Sequence, residues 1–261
     1  MASVETASKQ WVQTLAFSPR YSRAATPVRF VVLTRPRTGS TLLLELLHAH
    51  PDIYSDGELL KRRSPSVPVQ PLIKARAVRV RRVSGASAYG FKAMVGQVLQ
   101  LPHWSTFVST IHEHGFKIIY LDRRDLLLQA LSLEFANQTD RWQMRDDSYV
   151  DFEPFAVDVD AVVRTMERLD HHRTLAEEMM GGLPRHNVVY EDDLLPPEAH
   201  QRTADAACEF LGFDSASVVA TLLPMAPPEG RQRVTNYDEL TARLSTTRFA
   251  KYLEPQAGQP E

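Results

Sequence analysis

The stretch from Val28 to Pro51 constrains the fold more than any other part of the chain. Val28-Arg29-Phe30-Val31-Val32-Leu33-Thr34 is a β-branched, mostly apolar run with the length of a buried strand. A polar turn follows, Arg35-Pro36-Arg37-Thr38-Gly39, and then Ser40-Thr41-Leu42-Leu43-Leu44-Glu45-Leu46-Leu47-His48, stopped by Pro51. That last segment is apolar nearly all round, which a helix tolerates only when it is buried. Strand, glycine turn and buried helix, in this order, open a nucleotide-binding α/β fold.

The alternation recurs. Strands are predicted at Tyr89–Val95, Phe116–Leu121 and Asn187–Tyr190, and helices at about Asp125–Trp142, Asp160–Met180 and Glu198–Leu211. Strands alternating with helices imply α/β class, a P-loop-like three-layer fold with a central parallel sheet flanked by helices. With 261 residues the chain suits a polar lead-in over 1–27 and a single domain over 28–261. Two proline-rich stretches, Lys61–Ser87 and Leu223–Thr235, are candidate lids.

Composition removes several function classes. A formal net charge of −2 provides no global basic field for nucleic acid or anionic membrane. No apolar run approaches the roughly 20 residues of a bilayer span. The single cysteine, Cys208, sits in a helical stretch where packing is its expected role. With no leader pattern in Met-Ala-Ser-Val-Glu-Thr, the expectation is a cytoplasmic chain. No His, Cys and Asp spacing reads as a metal site.

The turn after the first strand can present backbone N–H groups and a helix N-terminus to an anion. Gly39 lets the backbone approach closely, Ser40 and Thr41 are candidate caps, and Arg35 and Arg37 are candidate charge-assisted contacts. The Lys-Ser/Thr ending of a Mg²⁺-dependent P-loop is missing, and so is Gly-x-Gly-x-x-Gly.

Arg37-Thr38-Gly39-Ser40-Thr41-Leu42-Leu43 resembles the 5′-phosphosulfate loop of sulfotransferases, in particular the bacterial carbohydrate type. Tyr120 to Ser132 resembles the 3′-phosphate motif of the same family, with Arg123 ending a strand and Ser132 on the next helix. The wider spacing of these two resembles the trehalose sulfotransferase type. Ser132 shares a helical face with Asp125 and Gln129. The resemblance runs on through Gly90-Phe91-Lys92, Val188 to Asp192 and Asn236 to Leu240. It implies use of 3′-phosphoadenylyl sulfate (PAPS, leaving PAP) without metal, a small-molecule or glycan acceptor, and it allows a homodimer.

At the spacing from Gly39 seen in the trehalose type, Glu58 is the implied general base, with Asp56 second. Lys92 stands where the family often has a lysine facing the cleft, and Arg231 and Arg233 where it has a nucleotide-closing loop. His48, expected in the buried helix, and His50, His103, His112 and His114 are the rival bases. Lys74, Arg76, Arg79, Arg81 and Arg82 form a basic stretch that suits an anionic acceptor or a solvated face. Trp104 and Trp142 are candidate sugar platforms or core residues. Two other readings stay open: a small-molecule kinase of P-loop descent, and a non-catalytic PAP- or PAPS-binding protein.

Overall fold

The computed structural model describes residues 27–61, 76–80, 84–142, 153–219 and 231–254. The lead-in before Pro27, Lys74, Arg81, Arg82 and most of the second proline-rich stretch lie outside the described residues.

Five parallel strands form one sheet in the order β2-β3-β1-β4-β5: β1 (Val28–Thr34), β2 (Ile53–Glu58), β3 (Ala88–Met94), β4 (Phe116–Asp122) and β5 (Arg185–Val189). The helices are α1 (Ser40–His48), α2 (Val95–Val98), α3 (Phe107–Glu113), α4 (Leu126–Thr139), α5 (Val159–Met180), α6 (His200–Leu211) and α7 (Tyr237–Ser245). Period-2 alternation divides the central strand between two cores. Phe30 and Val32 pack with Leu43, Leu46 and Leu47 of α1 and with Cys208 and Leu211 of α6. Val31 and Leu33 pack on the opposite face with Val108 and Ile111 of α3 and Met179 and Met180 of α5. The three-layer α/β reading therefore holds.

A third cluster joins α4, α5 and α7 through Leu127, Leu131, Met166, Leu169, Leu240 and Phe249. The chain leaves β1 toward β2 and β3 on one side and toward β4 and β5 on the other. The C-terminal end of β1 is thus the topological switch point, where an open α/β sheet leaves a crevice.

Three boundaries differ from the sequence expectation. β2 was not expected: Ile53-Tyr54-Ser55-Asp56-Gly57-Glu58 has no apolar alternation, because it is an edge strand that pairs only with β3. α4 stops at Thr139 instead of reaching Trp142, with Asp140 in the left-handed region at φ 54° closing it. Tyr190 does not end β5 but begins a π-helical turn over Tyr190–Leu194.

Candidate active site

The turn after β1 is closed by its own side chains. Thr34 Oγ1 donates to the Leu121 carbonyl at 2.9 Å and lies 2.6 Å from Thr38 Oγ1, which donates to the Arg35 carbonyl at 3.0 Å. Gly39, at φ 81°, is the N-cap of α1. A Cβ there would come within 2.8 Å of the Tyr190 ring, so both the conformation and the space require glycine. The capping role expected of Ser40 and Thr41 does not materialise: no side chain caps α1, and Ser40 is buried.

Arg35 corrects the sequence reading more sharply. It is fully buried and donates to Gln129 Oε1, to the carbonyls of Leu169 and Arg123, and to Asp122. A guanidinium whose two terminal nitrogens are so engaged ties the ends of β1 and β4 to α5, and only its buried Nε is left without a partner among the described residues. Gln129 completes the tie, its amide donating to the Pro36 carbonyl at 2.6 Å.

Arg37 instead reaches across toward α4. Its Nε donates to Ser132 Oγ at 2.9 Å and its Nη1 to the Trp142 carbonyl at 2.8 Å. Arg123 Nη1 donates to the Arg37 carbonyl at 3.0 Å, and the guanidinium lies 4.5 Å from the Tyr190 ring centre. The two halves of the sequence motif therefore meet. Burial, and then the neighbouring Arg123 charge, lower the pKa of Arg37 to about 10.

Asp125, Gln129 and Ser132 share one face of α4, as expected, and all three are buried. The start of α4 is not open to a phosphate, however. Glu191 fills it, its two carboxylate oxygens accepting from the backbone N–H groups of Arg124 and Asp125, each at 3.0 Å. Arg231 pairs with Asp125 at 2.8 Å and also donates to the carbonyls of Tyr252 and Leu253. Arg233 lies next to an isolated bridge between Phe155 and Val234, its carbonyl accepting from Phe155 N–H.

Glu58 and Lys92 meet at the ends of β2 and β3. A β-bulge between Asp56 and Glu58 sets Glu58, and not Gly57, opposite Lys92. Lys92 Nζ is 3.4 Å from Glu58 Oε1, and Gln97 Nε2 donates to Glu58 Oε2 at 2.7 Å. Burial lowers the pKa of Lys92, and the Glu58 carboxylate opposes that shift. Asp56 is occupied elsewhere, accepting from Arg76 at 2.8 Å and from Tyr89 Oη at 2.8 Å. That contact also takes Arg76 out of the basic stretch, while Arg79 is exposed.

Of the histidines, His48 is placed differently from expectation, while His112 and His114 lie at a helix end as expected. His48 is exposed at the end of α1, its Nδ1 accepting from Ser55 N–H, because the apolar stripe turns away before the helix exit. His50 is buried and its ring nitrogens meet Asp52 N–H and the Asp214 carbonyl. His112 and His114 bond local carbonyls. Trp104 is half-buried against the core, and Trp142 is 48% exposed. Among the described residues no group of three or more His, Cys, Asp or Glu could hold a metal ion, and no helix is long and apolar enough to cross a membrane.

Sequence reasoning missed Glu191, Gln97 and the structural use of Arg35 and Gln129. Of these, only Gln97 lay outside a flagged segment.

No protein-family model matches the chain. It is similar to Nodulation protein H of Rhizobium meliloti (strain 1021), 30% identical over 131 residues, 47% of this chain and 53% of that protein, so the chain spans about half the length of this curated relative. Nodulation protein H of Rhizobium tropici is 24% identical over 239 residues, 87% of this chain and 94% of that protein. A solved sulfotransferase from Alicyclobacillus acidocaldarius overlays with a TM-score of 0.46 at 16% identity, covering 90% of this chain and 98% of that one. The fold described above rests on its own strand order and register, not on that overlay. The chain that carries the paired motifs is thus similar to Nodulation protein H, over about half its length at 30% identity and over most of its length at 24%.

Proposed function

We propose that this chain transfers a sulfuryl group from PAPS to a hydroxyl of a carbohydrate, glycolipid or glycosylated natural product, with Glu58 as general base. The observation that carries the reading is the meeting of Arg37, Ser132 and Arg123 beside Gly39, one strand away from the Glu58–Lys92 pair.

The residues fit a nucleotide with two separate anionic groups. Arg123 Nε and Arg231 Nε are buried without a hydrogen-bond partner among the described residues. Burial, and then Arg123, hold Arg37 below its ordinary pKa, while Glu191, 3.9 Å from Arg123 Nε, supplies part of the counter-charge. The backbone around Gly39, with Thr38, Ser40 and Thr41, would hold the 5′-phosphosulfate. Arg37, Arg123 and Ser132 would hold the 3′-phosphate, with Arg231 and Arg233 alongside from the C-terminal segment.

PAPS supplies an activated sulfuryl group whose leaving group is PAP. The chain's share is to align the acceptor, offset negative charge and take one proton. Glu58 accepts the hydroxyl proton as the acceptor oxygen bonds to sulfur. Lys92, already beside that carboxylate, balances charge in the cleft. Trp142, half-exposed beside Arg37, supplies a flat apolar surface suited to a sugar ring. Cys208, buried and free, is consistent with a reducing cytoplasmic setting. Sedimentation of the purified protein tests the homodimer that the trehalose type allows.

Two measurements test the function. Calorimetric titration with PAP should show binding that a chelator leaves unchanged. Labelled PAPS incubated with metabolite extracts should then give a sulfated product. Absence of PAP binding removes the reading; binding without transfer to any extract points to a binding protein.

A further inference from the structure

We propose that Gln97 is a positioning residue that holds the Glu58 carboxylate in its reactive orientation and leaves Oε1 as the proton-accepting oxygen. The inference rests on the reading of Glu58 as general base.

Glu58 ends an edge strand just after a bulge, where backbone pairing alone fixes a side chain poorly. Both of its partners come from one continuous segment, β3 running into α2. Lys92, near the end of β3, reaches Oε1 at 3.4 Å; Gln97, on α2, donates to Oε2 at 2.7 Å. The shorter contact is a well-formed charge-assisted hydrogen bond, whereas the Lys92 contact is long. The carboxylate is therefore pinned by one oxygen and loosely paired at the other, which is the oxygen an incoming hydroxyl can claim.

The anchor is itself well seated. α2 is a single turn whose Gly96 packs against His172 of α5, where a Cβ would come within 3.1 Å of the imidazole. Val95 and Val98 on either side are fully buried. Gln97 Oε1, in contrast, is buried with no hydrogen-bond partner among the described residues. A glutamine kept with half of its amide unpaired is a poor choice for packing, since a methionine would fill the same space without an orphaned acceptor. Its bond to Glu58 is the feature that explains it.

The test uses Gln97→Met, which keeps length and removes the donor, and Gln97→Glu, which keeps shape and replaces the donor with an acceptor. The probe is labelled PAPS in water with no added acceptor, read as release of inorganic sulfate. Both variants should bind PAP within about twofold of the parent and lose roughly 10- to 100-fold in kcat, with KM for PAPS unchanged. In a Glu58→Gln background the same substitutions should cost nothing further, since they act through Glu58. A normal kcat in Gln97→Met beside a slow Glu58→Gln overturns the proposal, and so does an equal loss in both backgrounds. A Glu58→Gln protein with normal turnover strikes the base assignment instead. The crystal structure of Gln97→Met then decides independently: Glu58 should leave its place beside Lys92, and an unmoved carboxylate overturns the positioning role.

Discussion

Replacing Gly39 by alanine perturbs the candidate nucleotide site without removing any of its polar groups. Two costs add. At φ 81° the added Cβ is strained wherever it points, by roughly 1 kcal/mol. It also comes within 2.8 Å of Tyr190 Cδ2 and 3.1 Å of Leu194 Cδ1, and relief of such overpacking costs about 1–3 kcal/mol. Urea unfolding should therefore show a loss of about 2–4 kcal/mol. The functional effect follows from what leans on that ring. Arg123 lies over Tyr190 and donates to the Arg37 carbonyl, so displacing the ring displaces the guanidinium. Complete loss of a charge-assisted bond is worth about 1.5–3 kcal/mol, so partial displacement should raise the Kd for PAP about tenfold. Gly85→Ala is the control: φ is 76°, but nothing lies within 4 Å of the new Cβ. It should carry the strain cost alone and leave PAP binding unchanged. A folded Gly39→Ala protein with parental PAP affinity would refute the coupling through Tyr190.

Arg37→Ala and Arg123→Ala should each weaken PAP by roughly 10- to 150-fold in calorimetry, the range of one charge-assisted contact. Because the pKa of Arg37 is lowered to about 10, PAP affinity should also fall as pH rises through that value, and Arg37→Ala should abolish that fall. Glu58→Gln should keep PAP affinity while lowering kcat about 10²- to 10⁴-fold, measured on whichever acceptor the labelled extracts yield. The His172 pKa is lowered from 6.5 to about 4, chiefly by burial and then by Arg168, so its neutral form is favoured in the folded state. The unfolded chain takes up that proton first, and stability should fall as pH drops from about 6.5 toward 4. Discounted for partial exposure, the loss is about 1–2 kcal/mol, and His172→Gln should remove it in urea titrations at pH 7 and 4.5.

What the sequence revealed of the fold follows the strength of local signals. β1 and β4 are central and buried, so their side chains are apolar on both faces and their spans are legible as continuous runs. β2 lies at the sheet edge, and half of its residues are polar. The polar composition that includes Glu58 hid the strand that carries it. α4 was overextended because Asn137 to Trp142 contains no glycine or proline, and its end is set by Asp140 adopting the left-handed region. His48 looked buried because an apolar helix pattern gives no sign of where the surface begins.

The site divides in the same way between local and long-range causes. Arg37, Gly39, Arg123 and Ser132 were legible because each belongs to a motif with fixed spacing, and β1–β4 pairing is enough to bring the two motifs together. Arg35 was not, and its neighbour Arg37 shows why. The two arginines are chemically identical and two residues apart, yet one is a buried strut and the other a candidate ligand. The difference lies in Gln129, Asp122 and the Leu169 carbonyl, which converge on Arg35 from three other elements. A buried guanidinium is tolerated only where such partners already wait, and none of them is near it in sequence. Glu191 repeats the argument with opposite charge: it closes the start of α4 from a segment beyond β5. By filling that helix N-terminus with a protein carboxylate, it removes the most general anion site near the second motif. In the proposed reading, anion recognition there falls to Arg123 and Arg37, whose reach and planarity suit a phosphate in a way a bare helix end does not.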